Sequence, residues 1–374
     1  MSGTTAEDAR WMGRALELAA RGRGLTSPNP MVGAVVVADG AVVGEGFHGG
    51  AGGPHAEIMA LGAAGARARG ATLYVTLEPC NHQGRTPPCV PAVVGAGIAR
   101  VVGAARDPNP RVPGGGAEAL RAAGIAVSLG VLDEAARDLN RAFFTAMRRL
   151  RPHVTIKAAM TLDGKIAAHD GGSRWITGPE ARAEAHRLRS EADAVVVGIG
   201  TALADDPALD VRLERPWPRE PWRVVVDSRA RLPGGARLIT AGTPARALIA
   251  VTDAAPAERV AALEATGATV LACKSAGGRV DLADLAVRLH ALDVIAMLVE
   301  GGAELNAGFL AADLVDRVAV FVAPRLLGGA TAPTPLGGPG RSLAEAVALT
   351  RVTARAVGPD WLLEADVRRP EGAA

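Results

Sequence analysis

Two short stretches decide the reading of this chain: His55-Ala56-Glu57, and Glu78-Pro79-Cys80-Asn81-His82-Gln83-Gly84-Arg85-Thr86-Pro87-Pro88-Cys89. One imidazole and two thiols are good zinc ligands, and three protein ligands leave a fourth tetrahedral position for water. Pro54 precedes a helical stretch from about His55 to Ala66, Ala71–Leu77 reads as a strand, and Pro88–Ala96 reads as a short helix. The three ligands are therefore expected at two helix starts, where unpaired N–H groups favour thiolate over thiol. Bound zinc lowers the pKa of water from 15.7 to roughly 7. Glu57 follows His55 by two residues, so it is not an i,i+4 co-ligand. It is expected beside the water, as the catalytic group that relays its proton.

Working outward, Ala6–Ala20 has the pattern of an amphipathic helix with Thr5 as N-cap, and Asp39-Gly40 between apolar runs signals a hairpin of Val32–Val37 and Ala41–Gly46. Strand patterns at Val101–Ala104 and Ile125–Leu129 alternate with helix patterns at Ala117–Ala123 and Asp133–Met147. Such alternation predicts an α/β sheet covered by helices on both faces. Pro152, after Arg148-Arg149-Leu150-Arg151, marks a boundary. A second series follows, with strand patterns at Val154–Met160, Asp193–Gly198, Arg223–Asp227, Ala247–Val251, Thr269–Ala272, Val294–Glu300 and Arg317–Ala323, a helix at Pro179–Ser190, and an antiparallel pair from Thr350–Ala356 and Trp361–Val367. The expected organisation is a domain over 1–150, a domain over 151–368 and a disordered tail over 369–374. No internal repeat is present.

Composition narrows the function. In 374 residues, 41 basic groups face 39 acidic ones, for a formal charge of +2, which argues against a protein that tracks nucleic-acid phosphates. Aromatic residues are only 3%, too few for a base-stacking surface. The longest apolar stretch, near Ala194–Ala204, falls short of the roughly 20 residues that span a bilayer. The start of the chain has no basic-then-apolar signal pattern. Three cysteines cannot form an even disulfide framework. Together these give a cytoplasmic protein with no nucleic-acid or membrane partner, and Cys273 as a small buried hydrophobe.

His-x-Glu followed by Pro-Cys is the pattern of zinc deaminases, in which hydroxide attacks a ring amidine carbon and the Glu acts as general acid and base. Here eight residues, Asn81 to Pro88, separate Cys80 from Cys89, where nucleoside and nucleic-acid deaminases have two. Two alternatives stand beside this reading: a structural zinc with His48 or His82 as fourth ligand, and a nucleic-acid base deaminase with an appended nucleotide-binding domain. The segment Glu78–Cys89, with Ser27-Pro28-Asn29-Pro30-Met31-Val32-Gly33, closely resembles the deaminase half of the bifunctional riboflavin-biosynthesis deaminase/reductase family. The resemblance implies an N-terminal cytidine-deaminase-like α/β/α domain that hydrolyses the 2-amino group of a diaminopyrimidinone ribosylamine 5′-phosphate. It also implies zinc on His55, Cys80 and Cys89, Glu57 as catalytic residue, Asn29 against the pyrimidine, and a pocket shaped by His82 and Arg85.

In the second half no Gly-x-Gly-x-x-Gly follows a strand, so the usual dinucleotide fingerprint is missing. An apolar strand instead ends in Glu300-Gly301-Gly302 before a helical pattern, a junction that can admit a phosphate. Lys157–Lys165, Ser173–Thr177, Gly198–Pro207, Asp227-Ser228 and Glu300–Gly302 resemble the reductase half of the same family, and the likeness runs to about residue 367. It implies a dihydrofolate-reductase-like α/β domain that uses NADPH to reduce the ribosyl group to ribityl. Cofactor contacts would come from Ala159, Trp175, Thr201, Asp205, Ser228 and the turn Gly302, Ala303, Glu304, Leu305, Asn306, Ala307 and Gly308. Substrate contacts would come from Ser173, Arg189, Leu209, Arg212 and Glu300. Arg189 and Arg212 would offer fork-shaped donors to a phosphate, and Trp175 a flat wall for a nicotinamide. Lys157, Glu300 and Asp205 remain alternatives for proton transfer. The family also implies a homo-oligomer, dimer or tetramer.

Overall fold

The computed structural model describes residues 5–84, 86–109 and 115–368. The expected tail, 369–374, and Arg85 lie outside the described residues. The chain divides between Leu150 and Arg151 into two compact units.

In the first unit, α1 (Ala6–Ala20) precedes strands β1 (Gly33–Ala38) and β2 (Ala41–Phe47). Helix α2 (Ala56–Ala64) leads to β3 (Thr72–Leu77), α3 (Cys89–Gly95) to β4 (Arg100–Ala105) and α4 (Gly116–Ala122) to β5 (Ala126–Leu129). Helices α5 (Asp133–Leu139) and α6 (Arg141–Arg149) close the unit. The strand order is β2-β1-β3-β4-β5. β1 is antiparallel to β2 and β3, while β3, β4 and β5 are parallel. Alternation along β1 sends Ala34 and Val36 into one core with Ala60 and Leu61 of α2 and Val90 and Val93 of α3. α1 packs on β1 and β3 and is capped by Thr5. Its Asp8 accepts hydrogen bonds from Tyr74 Oη at 3.0 Å and from Arg100 at 2.9 and 3.0 Å, which locks the helix to β3 and β4.

α2 rides directly on β2. A Cβ at Gly46 would lie 2.5 Å from Ala56 O, and one at Gly44 would lie 2.2 Å from Ala60 O, so no side chain fits at either position. The helix expected over Asp133–Met147 is broken at Asn140. There the carboxamide bonds the backbone of Met31, with Met31 N–H donating to Oδ1 at 2.7 Å and Nδ2 donating to Met31 O at 2.8 Å. A tertiary contact thus overrides the local helical pattern.

The second unit is built on one nine-stranded sheet. Its elements are β6 (His153–Thr161), α7 (Pro179–Glu191), β7 (Ala194–Gly198), α8 (Ile199–Asp205), β8 (Trp222–Val226), α9 (Arg237–Thr240), β9 (Ala247–Val251), α10 (Ala257–Glu264) and β10 (Thr269–Ala272). A small hairpin, β11 (Ser275–Ala276) and β12 (Arg279–Val280), follows. Then come α11 (Leu282–Ala291), β13 (Ala296–Val299), α12 (Ala303–Ala311), β14 (Arg317–Ala323), β15 (Leu349–Val357) and β16 (Asp360–Val367). The order is β10-β9-β8-β7-β13-β6-β14-β16-β15, parallel from β10 to β14 and antiparallel over the last pairs. One face packs on α11 and α12 through Leu285, Leu289 and Phe309, and the other on α8 to α10 through Ala202, Leu238 and Leu263. Cys273 is buried, and burial pushes its thiol up to about 11. Among the described residues no helix is long and apolar enough to cross a membrane.

The start of β6 is pinned by a nearly buried ion pair. Arg151 donates to both oxygens of Asp316 at 2.7 and 2.9 Å, and Val154 N–H donates to the same carboxylate at 2.9 Å. Burial opposes ionisation of Asp316, but Arg151 and His153 outweigh it and hold the carboxyl below its ordinary 3.8. A lowered native pKa contributes stability that is present above the ordinary value and lost as the pH falls below it. Asp316→Asn should therefore destabilise the second unit by about 3 kcal/mol at neutral pH. In urea unfolding, the gap from the parent protein should narrow below about pH 4.

Candidate functional site

β3 and β4 run parallel and end side by side, with Glu78 N–H donating to Ala105 O at 2.9 Å. The chain leaves β3 through Glu78-Pro79-Cys80. His55 is the N-cap of α2 and Cys89 the first residue of α3. His55 Nδ1 stands 3.2 Å from Cys89 Sγ and 3.5 Å from Cys80 Sγ. These three ligand atoms lie within 4.8 Å of one another, as in no other group of metal-binding side chains among the described residues. One expectation needs correction. Cys80 is not at a helix start but in the loop after β3, and the amide at the start of α3, Cys89 N–H, points at Cys80 Sγ at 3.3 Å.

Glu57 is buried at 4% exposure, and burial pushes its carboxyl up to about 7. It lines a cavity of about 390 Å³ together with Asn29, His55 and Cys80. The two sulfurs compete for a proton. Hydrogen bonds from Cys89 and His55 pull the Cys80 thiol down to about 4, while Cys80, burial and Glu57 push Cys89 up. A divalent cation at the centre relieves that conflict, and an imidazole with two thiolates suits zinc. The donor set therefore fits the ion.

His48 does not complete a fourth ligand position. Its Nδ1 donates to Pro54 O at 3.1 Å, so its Nε2 accepts from Asn29 Nδ2 at 3.1 Å. Burial keeps its pKa low and the ring neutral. Asn29 thereby commits one amide hydrogen to His48 and keeps its carbonyl oxygen and its second N–H for a ligand. His82 lines the cavity but lies outside the ligand group. Sequence reasoning passed over Glu78, Thr86, Asp107 and Asn109, which also line the cavity. Glu78 accepts from Ala117 N–H at 2.9 Å and Asp107 N–H at 3.3 Å, and so ties the end of β4 to α4. Its place directly before Pro79-Cys80 was the available signal.

The second unit carries a cavity of about 470 Å³ at the carboxyl ends of β7 and β13. Val299 pairs with Ile156, so β6 runs on past β13 and lines the space with Lys157 and Ala159. Ser173, Trp175, Thr201, Asp205, Leu209 and Arg212 also face it. Ser173 Oγ donates to Asp205 at 3.3 Å. Trp175 is 61% exposed, with the guanidinium of Arg182 4.6 Å from its ring centre. Glu300 is held between Arg189, whose Nε and Nη2 donate at 2.7 and 3.0 Å, and Lys157 Nζ at 3.4 Å. Burial opposes its charge, but Arg189 and Lys157 win and hold the carboxyl well below the usual range.

Arg189 lines the cavity, but its guanidinium is engaged within the fold. Two of its nitrogens are engaged by Glu300, and Nη1 donates to Asp210 O at 3.0 Å. Arg212, 63% exposed along its side chain, is the arginine of the two that reaches open solvent. The turn expected over Gly302–Gly308 is an N-cap, Gly302, and the first turns of α12. Of that segment Gly302 and Asn306 line the cavity; Ala303, Glu304, Leu305, Ala307 and Gly308 do not. Leu305 packs on the core, and Glu304 is exposed and pairs with Arg279. A Cβ on Gly301, which also lines the cavity, would lie 2.9 Å from Asn306 Oδ1, so a side chain there would crowd Asn306. Asn306 is fully buried, donates to Gly301 O and Pro335 O at 3.1 and 2.9 Å, and has an Oδ1 without a partner. Such an orphaned acceptor at a cavity fits a ligand that donates, as a carboxamide does. Ser228 stands apart, its Oγ accepting from Val280 N–H at 3.0 Å.

Fold and sites define a two-activity enzyme: a zinc-type hydrolytic deaminase of the cytidine-deaminase class, joined to an α/β reductase. Residues 5–105 match the cytidine and deoxycytidylate deaminase zinc-binding region, and residues 152–363 match the RibD C-terminal domain. The riboflavin biosynthesis protein RibD of Aquifex aeolicus is 44% identical over 356 residues, 95% of this chain and 97% of that protein. The solved structure of Acinetobacter baumannii RibD superposes with a TM-score of 0.89 at 38% identity, covering 97% of this chain and 99% of that one. A Thermotoga maritima structure, described as a diaminohydroxyphosphoribosylaminopyrimidine deaminase/5-amino-6-(5-phosphoribosylamino)uracil reductase, gives 0.83 at 37% identity with the same coverage. The chain belongs to the RibD family of riboflavin biosynthesis proteins.

The buried charges of the second unit make a test independent of turnover. Arg189→Met leaves Glu300 with Lys157 as its remaining cation and should destabilise that unit by about 3 kcal/mol in thermal or urea unfolding. Adding Glu300→Gln should recover part of the loss.

Proposed function

We propose that residues 1–150 hydrolyse the 2-amino group of 2,5-diamino-6-ribosylamino-4(3H)-pyrimidinone 5′-phosphate. Residues 151–368 then reduce the ribosyl group of 5-amino-6-ribosylamino-uracil 5′-phosphate to ribityl with NADPH. The observation that carries this reading is the convergence of His55, Cys80 and Cys89 beside buried Glu57.

His55, Cys80 and Cys89 would hold the zinc, which when bound would supply the acidification of water near neutral pH. Glu57, raised towards neutrality by burial, takes up the water's proton. It returns protons to the ring nitrogen and then to the departing amino group, so that water and the aminopyrimidine become the ring carbonyl and ammonia. Asn29, with one amide hydrogen committed to His48, offers its carbonyl oxygen to the ring amino hydrogens. In the second unit NADPH, when bound, would supply the hydride. Trp175, Ala159, Thr201, Asp205, Gly302 and Asn306 position the cofactor. Ser173, Leu209 and Arg212 hold the substrate, and exposed Arg212 is the phosphate ligand. Arg189 acts through Glu300, which holds Lys157 Nζ at 3.4 Å in the cavity, where Lys157 is the proton source. The same reading gives a cytoplasmic homo-oligomer, a dimer or tetramer, acting on free phosphorylated pyrimidines.

Glu57→Gln should lower ammonia release from the diamino substrate by about a hundredfold or more, with NADPH oxidation on the deaminated substrate unchanged. Chelation of the metal should have the same split outcome, and loss of both activities together would refute the division of labour. Trp175→Ala should raise the KM for NADPH by up to about tenfold, the loss of one aromatic stacking contact. Steady-state kinetics on both substrates measure it.

A further inference from the structure

We infer that Thr86 is a positioning residue of the metal site: its hydroxyl accepts the Nε2 proton of His55 and so fixes Nδ1 as the nitrogen that binds the metal. The inference rests on the reading of His55, Cys80 and Cys89 as zinc ligands. His55 has two ring nitrogens in different surroundings. Nδ1 faces both sulfurs, at 3.2 and 3.5 Å, and Nε2 lies 2.9 Å from Thr86 Oγ1. A nitrogen that binds a cation must present a bare lone pair, so the ring proton belongs on Nε2, where the threonine oxygen receives it. Partners of this kind orient a ligating imidazole and raise its basicity.

The loop holds the hydroxyl in place by backbone means. Thr86 O accepts from Gly84 N–H at 3.2 Å. Pro87 and Pro88 follow, and Pro88 is the N-cap of α3, the helix that begins with Cys89. Two residues with ring-fixed φ angles thus separate Thr86 from a metal ligand, which limits the freedom of the chain between them. This assigns a purpose to the wide spacing of the two cysteines. Thr86 lies within the eight residues between the two cysteines, and its hydroxyl meets the ring at Nε2, opposite the nitrogen that faces the sulfurs.

The test is metal affinity. Metal-stripped parent protein, Thr86→Val and Thr86→Ser would be titrated with zinc in competition with a chromophoric chelator, and with Co2+ for its ligand-field spectrum. Thr86→Val keeps the shape and loses the acceptor, and should bind zinc about ten- to a hundredfold more weakly with an altered Co2+ spectrum. Thr86→Ser keeps the hydroxyl and should stay within about threefold of the parent. Equal affinity of the valine variant and the parent overturns the inference, as does equal weakening in valine and serine variants, which would point to loop packing. A parent protein that binds no zinc would instead refute the ligand assignment itself. Should circular dichroism show the valine variant unfolded, Thr86→Ala replaces it with the same expected weakening and the same overturning result.

Discussion

Two thiols, an imidazole and a carboxylate cannot share one small buried space without a compensating positive charge. That constraint governs the first unit. Its sheet brings the end of β3 beside the end of β4, and helices α2 and α3 each bring their first turn to the same point. The cost of crowding groups that shed protons is visible in the opposite displacements of Cys80 and Cys89 and in the raised Glu57. A fold that assembles such a cluster, and lines a cavity with it, is organised around an imported cation.

The second unit answers the same electrostatic problem internally. Glu300 is also largely enclosed, yet it stays ionised because Arg189 and Lys157 are built in beside it. One unit thus keeps a carboxylate near its point of protonation and the other keeps one permanently charged. The difference matches their chemistry. A hydrolytic deaminase needs a group that exchanges protons with water and leaving group, while hydride delivery needs a fixed field around a reacting carbon. In both units the sites sit at the carboxyl ends of parallel strands, the position open α/β sheets offer for ligands.

Much of this was legible in the sequence. Unbroken apolar runs such as Val35-Val36-Val37 and Val195-Val196-Val197 located strands, and Thr5 and Asp39-Gly40 located a cap and a hairpin, because those signals act over a few residues. The His55, Cys80 and Cys89 set was readable since few chemistries use those residue types at that spacing. What was not readable depends on contacts distant in sequence. The break at Asn140 needs Met31, more than a hundred residues earlier. The engagement of Arg189 by Glu300, the isolation of Ser228 beside Val280, and the reach of Thr86 to His55 are also tertiary facts. Strand order across the nine-stranded sheet is of the same kind, because each strand reads alike wherever it sits.

The bare backbone of β2 at Gly44 and Gly46 carries a consequence for the imidazole. With backbone laid on backbone, α2 has a fixed standoff from the sheet, and His55 stands at the end of that helix. Metal coordination tolerates displacements of only about 0.2 Å, far less than the thickness of a methyl group. The dimensional accuracy of the centre is therefore set by two hydrogen atoms on a neighbouring strand, one layer away from any atom that would touch the ion.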